Sequence, residues 1–285
     1  MSTTASVGGL HQYLSVEFRL QLSEDAIKAD VPNANIRRLS LDLSSLASVR
    51  KAAAEVNTYS EPIHVLIHNA AAAIGPFKLT VDGLESQMAT DHVGPFLLTK
   101  ILKPKLLAAV TGSNYTPRVV FVTSVAHMFR PGVNFDAVEH SSAEGYTSFG
   151  AYFEAKSANI LTAIELSKRS RGAINAYSLN PGGAYLAIFT NIMQKKESLS
   201  EYQVLGLLGP DGLPNTEKMQ WKTIPQGAAT TLTAAFDPRL NSQPGAYLDD
   251  SSVANGSVAG HSSDAVNAAR LWTLTEKIIR EEFTF

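Results

Sequence analysis

A tyrosine and a lysine stand four residues apart in a segment that has the spacing of a helix. Tyr152 and Lys156 lie in 148–167, where apolar residues recur at helical intervals and no Gly or Pro follows Gly150. This spacing puts both side chains on one helical face, one turn apart. A free phenol titrates at about pH 10, and an adjacent ammonium favours its ionised form, which makes it a usable acid or base at neutral pH. On spacing alone, the favoured interpretation is a surface lysine beside a half-buried tyrosine.

Two apolar, β-branched runs give that pair its context. The run 118–125 contains Thr123 and Ser124 near its end, and the run 173–179 is stopped by an Asn-Pro-Gly-Gly sequence at 180–183. Both have the pattern of buried parallel strands. In open α/β sheets, ligands bind at the carboxyl ends of such strands. We therefore expect the Ser124 hydroxyl to be delivered to a ligand-binding edge.

The order of these features resembles the short-chain dehydrogenase/reductase family: a serine at a strand end, Tyr and Lys on the next helix, then a strand ending in Pro-Gly. The long interval from Ser124 to Tyr152, and the Ala-His that follows the serine, are most similar to its retinol-dehydrogenase-like branch. The resemblance runs nearly continuously from residue 33 to the end of the chain. It implies an α/β fold with a doubly wound, mostly parallel, Rossmann-like sheet.

The resemblance also implies a chemistry, the transfer of a hydride between a substrate carbon and a nicotinamide. In the family pattern Tyr152 exchanges a proton with the alcohol or carbonyl oxygen, Lys156 assists it, and Ser124 donates a hydrogen bond to the same oxygen. NADP is expected, with NAD as the alternative, because the resembled branch often uses NADP(H). The implied cofactor-binding residues are Asp42, Asn69, Tyr152, Lys156, Pro181 and Gly182.

The amino-terminal segment 1–32 departs from the family pattern. The family opens with a strand and a glycine-rich turn, whose backbone approaches the cofactor pyrophosphate at a helix N-terminus. When the sequence is laid on that turn, Ala5 and His11 replace two of the three glycines, and too few residues precede the turn to form a strand. We therefore expect abbreviated N-terminal strands. Either a segment is missing from the gene model or dinucleotide binding is altered.

A second departure is Asp91, which stands where the family has an asparagine linked through water to the catalytic lysine. If it is buried, its carboxylate would stabilise the Lys156 ammonium and weaken the effect of that ammonium on Tyr152. The alternative is a solvated helix residue, which the matching residues around Asp91 make the weaker interpretation.

We interpret residues 1–285 as one domain, because α/β folds of this length are commonly undivided. The run 35–43 predicts a strand, with a helix from residue 45 to about 56 after it. The segment 184–223 corresponds to the substrate lid of the family and is rich in apolar residues. Those residues indicate a lipophilic substrate, although a packed pair of capping helices explains them about as well.

Composition excludes several other classes of protein. The net charge of −2 gives no indication of a nucleic-acid or anionic-membrane partner. The chain has no cysteine, its seven histidines lack metal-ligand spacing, and no apolar run approaches the length of a membrane span. We expect a cytoplasmic protein that acts on a small molecule and contains no metal. A homodimer through the Tyr152 helix is expected only by family resemblance.

Two other functions remain open at this stage. The serine, tyrosine and lysine set would also serve a cofactor-independent acid/base catalyst, such as an isomerase, dehydratase or cyclase, on a scaffold that has lost its dinucleotide. An inactive, truncated member of the family is the third hypothesis. The persistence of Asp42 and Asn69 beside the catalytic set favours the oxidoreductase.

Overall fold

One sheet of five strands organises the computed structural model, which describes residues 16–72, 74–113, 115–183, 199–204, 206–218 and 220–285. The strands are β1 (Val65–His68), β2 (Arg118–Val122), β3 (Asn175–Asn180), β4 (Tyr247–Asp249) and β5 (Ser252–Val253), and they lie side by side in this order. The strands β1 to β4 pair in parallel, whereas β5 is antiparallel to β4. The expected mostly parallel sheet is confirmed.

Helices connect these strands, with a π-helical turn at 89–93 between α3 and α4 and a 3₁₀ turn at 125–128 after β2. The helices are α1 (Val16–Asp30), α2 (Leu46–Asn57), α3 (Ser86–Met88), α4 (Gly94–Ser113), α5 (Phe135–Glu139), α6 (Ser148–Ser170), α7 (Leu199–Val204), α8 (Ile224–Phe236), α9 (Gly260–Ser263) and α10 (Ala265–Ile279).

Local sequence explains where α6 and α8 begin and end. The Thr147 hydroxyl accepts a hydrogen bond from the Gly150 N–H at 3.1 Å and so caps the first turn of α6. The last turn closes at Arg171, which adopts the left-handed conformation. In α8, Thr223 and Gln226 form a reciprocal capping box, and a proline occupies the first turn. The helix predicted to carry Tyr152 and Lys156 is therefore present as α6.

The central strand β2 is covered on both faces. Val119 and Phe121 belong to the large core formed with α4, α6 and α10, whereas Val120 and Val122 pack in a second core with Ala234 and Ala235 of α8. Because successive residues of a strand point to opposite faces, the two cores lie on opposite sides of the sheet. This is the doubly wound arrangement that the sequence predicted.

The prediction of a strand at 35–43 is wrong, because the structure has no strand in these residues. An extended segment becomes a strand only when a neighbour pairs with it, and β1 is an edge of the described sheet, with Ile67 38% exposed. Turn contacts hold this segment instead, since Asp42 accepts from the Ser44 N–H at 2.9 Å. The following helix begins at Leu46 with Ser45 as its cap. The predicted turn with Ala5 and His11 lies outside the described residues.

Candidate active site

The carboxyl ends of the parallel strands β1, β2 and β3 lie side by side at one end of the sheet, which we call the sheet edge at the carboxyl ends. Asn69 follows β1, Ser124 stands two residues beyond β2, and Pro181 and Gly182 follow β3. The pairing of β2 with β3 extends to this edge, because the Thr123 N–H donates to the Leu179 carbonyl at 2.8 Å. The fold therefore brings these predicted site residues to the side where parallel sheets bind ligands.

The helix α6 is attached to the end of β2 beside Ser124. The buried Thr123 hydroxyl donates to the Lys156 carbonyl at 2.6 Å, and the Lys156 ammonium lies 3.5 Å from the Val122 carbonyl. The same ammonium lies 5.2 Å from the centroid of the Tyr152 ring. These contacts place Lys156 against the end of β2 and beside Tyr152, and Ser124 directly follows Thr123 in the chain. Tyr152 and Ser124 are half-buried, while Lys156 is buried.

Ser124 is held by the tight turn that follows it. Its hydroxyl oxygen accepts from the Ala126 N–H at 3.1 Å, and its carbonyl lies 2.7 Å from Nδ1 of His127. The Ala259 N–H donates to Nε2 of the same imidazole at 3.4 Å, which makes Nδ1 the protonated nitrogen. Burial lowers the pKa of His127, in agreement with a neutral ring. The sequence analysis did not predict this contact. The spacing of three residues between Ser124 and His127 was the feature that could have indicated it.

Asp91 is buried and forms an ion pair with Lys156. The Asp91 side chain is 0% exposed and the Lys156 side chain 3%, and Oδ2 lies 3.0 Å from Nζ. The other oxygen, Oδ1, accepts from the Ala72 N–H at 2.6 Å. Asp91 lies in the π-helical turn, a distortion that is frequent at functional sites. Its burial excludes the weaker alternative, a solvated helix residue, and agrees with the expectation of a buried carboxylate beside Lys156.

Burial and ion pairing shift the pKa values of Asp91 and Lys156 in opposite directions. Burial raises the pKa of Asp91 above its usual value, although the Lys156 ammonium opposes the rise. Burial would lower the pKa of Lys156, but Asp91 and, after it, Tyr152 outweigh this effect and raise the pKa. Lys156 therefore remains an ammonium at neutral pH.

The turn after β3 is organised by Asn180. Its side-chain oxygen accepts from the N–H groups of Val125 and Gly182, both at 3.3 Å, and its amide donates to the Asp249 carboxylate at 3.0 Å. Gly182 has a φ of +77°, and a Cβ at this position would lie 2.7 Å from Cε of Lys222. The positive φ favours glycine here, whereas the flexible Lys222 side chain could move away from a Cβ. The roles of Asn180 and Lys222 were not predicted from the sequence.

The predicted adenine-side residues lie on the surface. Asn69 and Asp42 are exposed. The Asp42 carboxylate accepts from the N–H and, at 2.7 Å, from the hydroxyl of Ser44. The carbonyl of Leu43 lies against Gly94, where a side chain would clash with it. This contact sets the 42–43 segment at the start of α4, the helix that follows the Asp91 turn.

Aromatic side chains form a continuous strip from Tyr152 to the helix α7. Phe153 lies 6.4 Å from Tyr152 between ring centroids and contacts Phe129 at 5.5 Å and Phe149 at 5.8 Å. Phe149 in turn meets Tyr202 of α7 edge to face at 6.2 Å. We call Phe129, Phe149, Phe153 and Tyr202 the aromatic strip. Its contacts join the candidate catalytic tyrosine to the segment predicted as the lid.

Only part of the predicted lid can be compared with the structure. Tyr202 and Leu208 are buried and form a small core with Ile74, so these two apolar residues pack the lid from within. Exposed large apolar residues instead occur in the turn that follows Ser124. Phe129 is 67% exposed, and Val125 and Met128 are exposed as well. Other residues on which the lipophilic prediction was based lie outside the described residues: Tyr185, Leu186, Ile188, Phe189, Met193 and Leu205.

The residues that the structure describes form neither a metal-ligand cluster nor a membrane-spanning helix. Within them, no group of three or more His, Asp or Glu side chains is placed to hold a metal ion. No helix in these same parts of the chain is long and apolar enough to cross a membrane.

Known proteins similar to this chain share one family. The chain is 34% identical over 262 residues to the short-chain dehydrogenase TIC 32 B, chloroplastic, of Brassica napus, which covers 90% of this chain and 76% of that protein. It is 32% identical over 287 residues to the short-chain dehydrogenase/reductase prx1 of Penicillium roqueforti. That alignment covers 96% of this chain and 79% of prx1. No protein-family model matches the chain.

Solved structures agree with this relationship. An uncharacterized protein from Mycobacterium paratuberculosis superimposes with a TM-score of 0.63 at 28% identity, covering 93% of this chain and 83% of that one. The RhlG/NADP active-site complex of Pseudomonas aeruginosa shares the fold, with a TM-score of 0.58 at 20% identity and coverage of 86% and 84%. The chain belongs to the short-chain dehydrogenase/reductase family. It is an oxidoreductase of that type.

Proposed function

We propose that this oxidoreductase uses NADP(H) to interconvert an alcohol and a carbonyl on an apolar small molecule. The observation that carries the proposal is the attachment of α6 to β2 by the Thr123 hydroxyl and the Lys156 carbonyl, 2.6 Å apart. This contact joins the helix that carries Tyr152 and Lys156 to the end of the strand that Ser124 follows, which supports a hydroxyl donor and a proton-exchanging phenol acting with one cation.

The residues at the sheet edge fit the nicotinamide and ribose half of such a cofactor. The Lys156 ammonium donates to the Val122 carbonyl at 3.5 Å and forms an ion pair with Asp91 at 3.0 Å, and in the proposal another of its three N–H groups binds a ribose hydroxyl. Pro181 and Gly182 offer a backbone surface at the end of β3, and Asn69 is exposed at the end of β1. In the proposal these residues, together with Tyr152 and, towards the adenine, Asp42, hold the dinucleotide.

Each catalytic side chain then has a distinct task. The nicotinamide ring supplies or accepts the hydride when the dinucleotide is bound. The Ser124 hydroxyl donates a hydrogen bond to the substrate oxygen and stabilises its developing negative charge. The Tyr152 phenol gives its proton to that oxygen in reduction and takes it back in oxidation. The positive charge of Lys156 favours the ionised phenol while that proton is away.

An apolar, ring-containing substrate is favoured by the surface around Ser124. Val125, Met128 and Phe129 are exposed in the turn that begins at this serine. Phe153 lies next to Tyr152 in α6 and contacts Phe129. Large apolar side chains exposed around a polar centre are typical of a binding site for a molecule with apolar surface. The exposed Phe129, together with Val125 and Met128, is therefore proposed to bind the apolar part of the substrate.

A cofactor titration tests the proposal. The full chain should bind NADPH in the micromolar range in calorimetry and in nicotinamide fluorescence, and more weakly after Lys156→Met. It should then oxidise NADPH when an aromatic ketone is added. A protein that unfolds cooperatively on heating but binds neither NADPH nor NADH at millimolar concentration would contradict hydride transfer. That result would favour a redox-neutral acid/base catalyst or an inactive member of the family.

Phe129→Ala tests the proposed substrate surface. Loss of this ring should raise KM for an aromatic ketone by about 5- to 30-fold, the equivalent of roughly 1–2 kcal/mol of lost apolar contact, with little change in kcat. The matched control is Phe236→Ala, since Phe236 is 63% exposed. It lies near the far end of the sheet, where Arg118 donates to the Ala234 carbonyl at 3.0 Å. Equal KM values for both variants would contradict a role for Phe129 in binding.

Three expectations from the sequence stay predictions. They are the single domain spanning 1–285, with an atypical segment 1–32 and a lid at 184–223, the homodimer through α6, and the cytoplasmic location. Sedimentation of the purified full chain tests the homodimer directly.

A further inference from the structure

Three parts of the fold meet at the Asp91 carboxylate. The residue itself lies in the π-helical turn before α4, its Oδ1 accepts from the Ala72 N–H in the segment after β1, and its Oδ2 faces Lys156 of α6. Asp91 therefore fixes the lysine relative to the segment that contains Asn69. It has no direct contact with Tyr152 or Ser124 in these hydrogen bonds and ion pairs, so it acts on them through Lys156.

The charges around Tyr152 depend on this contact. The Lys156 ammonium lies 5.2 Å from the Tyr152 ring centroid and 3.0 Å from Asp91 Oδ2. With Asp91 ionised, the pair has no net charge and attracts a phenolate weakly. With a neutral residue at position 91, the Tyr152 phenolate would be the anion left to hold Lys156 as an ammonium, and the two would attract each other without competition. The carboxylate and the phenolate therefore compete for one cation.

Other titratable groups near the pair do not replace this effect. Burial is the largest effect that raises the pKa of Asp91, and the Lys156 ammonium opposes it. The negative charge of Glu85, at the cap of α3, raises the same pKa by a smaller amount. His92, the next residue, is buried with a pKa of about 3 and is uncharged at neutral pH. Nε2 of His92 contacts the Thr275 hydroxyl at 2.8 Å. Among the cation–ring contacts of the described residues, Lys156 is the cation that lies over the Tyr152 ring.

We propose that Asp91 is a positioning residue that competes with Tyr152 for the Lys156 ammonium and restrains the ionisation of Tyr152, so that the reaction runs at a more alkaline pH than it would with a neutral residue at this position. The inference rests on the proposed function only in taking Tyr152 as the proton donor. The structural part, a carboxylate that competes with the phenolate for Lys156, is independent of any cofactor.

Titration of Tyr152 by ultraviolet absorbance tests the proposal without a cofactor. The Tyr152→Phe protein serves as the reference that removes the signal of the other tyrosines. In Asp91→Asn the Tyr152 phenol should ionise at a pH about one unit or more below that of the native protein, from the loss of one nearby charge. In Asp91→Glu, which keeps the charge, it should ionise close to the native pH. Ionisation of Tyr152 at the same pH in the native and Asp91→Asn proteins would overturn the proposal.

A measurement on the native protein covers the case in which Asp91→Asn does not fold. The ¹³C chemical shift of the Asp91 carboxyl carbon should report a carboxylate across neutral and mildly alkaline pH. A neutral carboxylic acid in that range would overturn the proposal, because it could not offset the ammonium. If NADPH fails to bind while the shift in Tyr152 ionisation is found, the proposed function is rejected and the role of Asp91 stands.

Discussion

The Tyr152→Phe variant is expected to lose about 10²- to 10⁴-fold in kcat for reduction of an aromatic ketone by NADPH, the range contributed by a positioned general acid. The substitution removes only the phenolic oxygen. The ring remains to contact Phe153 at 6.4 Å and the Lys156 ammonium at 5.2 Å. The fold and the affinity for NADPH should therefore change little, and steady-state kinetics should show the loss in kcat rather than in KM.

A second tyrosine provides the matched control. The Tyr59 hydroxyl donates to the Glu55 carboxylate at 3.0 Å in the segment after α2, and this contact includes none of the residues proposed for the site. Tyr59→Phe should leave kcat unchanged. If Tyr152→Phe keeps more than about a tenth of the native kcat, proton transfer by this phenol is not a major part of the rate.

The Lys156→Met variant should lose both activity and stability. Asp91 is 0% exposed, and after this substitution its carboxylate has no cation at 3.0 Å. Leaving one partner of a buried ion pair without the other typically costs about 3–5 kcal/mol in the free energy of unfolding. Urea denaturation at mildly alkaline pH should show a loss of this size, together with loss of the Tyr152-dependent rate.

The stability loss in Lys156→Met should depend on pH with a defined sign. Burial raises the pKa of Asp91 in the folded protein, and without Lys156 the opposing effect of the ammonium is gone. A group whose folded pKa is raised binds more protons in the folded state, so its contribution to stability is present at low pH and is lost as pH rises. The variant should therefore be least destabilised near pH 5 and more so towards about pH 8.

The double variant Asp91→Asn/Lys156→Met separates structure from catalysis. It removes both buried charges, so it should recover much of the stability and lose the extra pH dependence, because the titrating carboxyl is gone. Activity should remain low, since no ammonium is left to favour the ionised phenol. A double variant as unstable as Lys156→Met, with the same pH dependence, would show that the ion pair is not the cause.

The elements of the central sheet could be predicted because their sequences are short, mostly apolar runs bounded by turn residues. The run 118–125 contains β2, which ends at Val122, and the run 173–179 overlaps β3, which ends at Asn180. The helix around Tyr152 was equally accessible, since its apolar spacing and Thr147 cap are local features. Errors of a few residues at the ends reflect competition between strand pairing and turns.

The strand predicted at 35–43 failed for a reason that a single segment cannot reveal. Its alternating pattern is compatible with a strand, but a strand requires a partner at the correct distance. In the described sheet β1 has a free edge, and the segment is held by the Asp42 turn and the contact of Leu43 with Gly94. Pairing is a property of the whole fold and not of the segment.

By itself, the sequence determined the α/β class and the positions of β2, β3 and the helix around Tyr152, which follow from local periodicity. The doubly wound, mostly parallel sheet and the proposed roles of Ser124, Tyr152 and Lys156 came from the resemblance to the family, because spacing alone favoured a surface lysine beside a half-buried tyrosine. Only the tertiary structure decided that Asp91 lies 3.0 Å from Lys156 in the interior, that His127 supports Ser124, and that Phe129 is exposed beside them. Burial and contact between distant segments set the charge and polarity of a site, and spacing along the chain does not specify them.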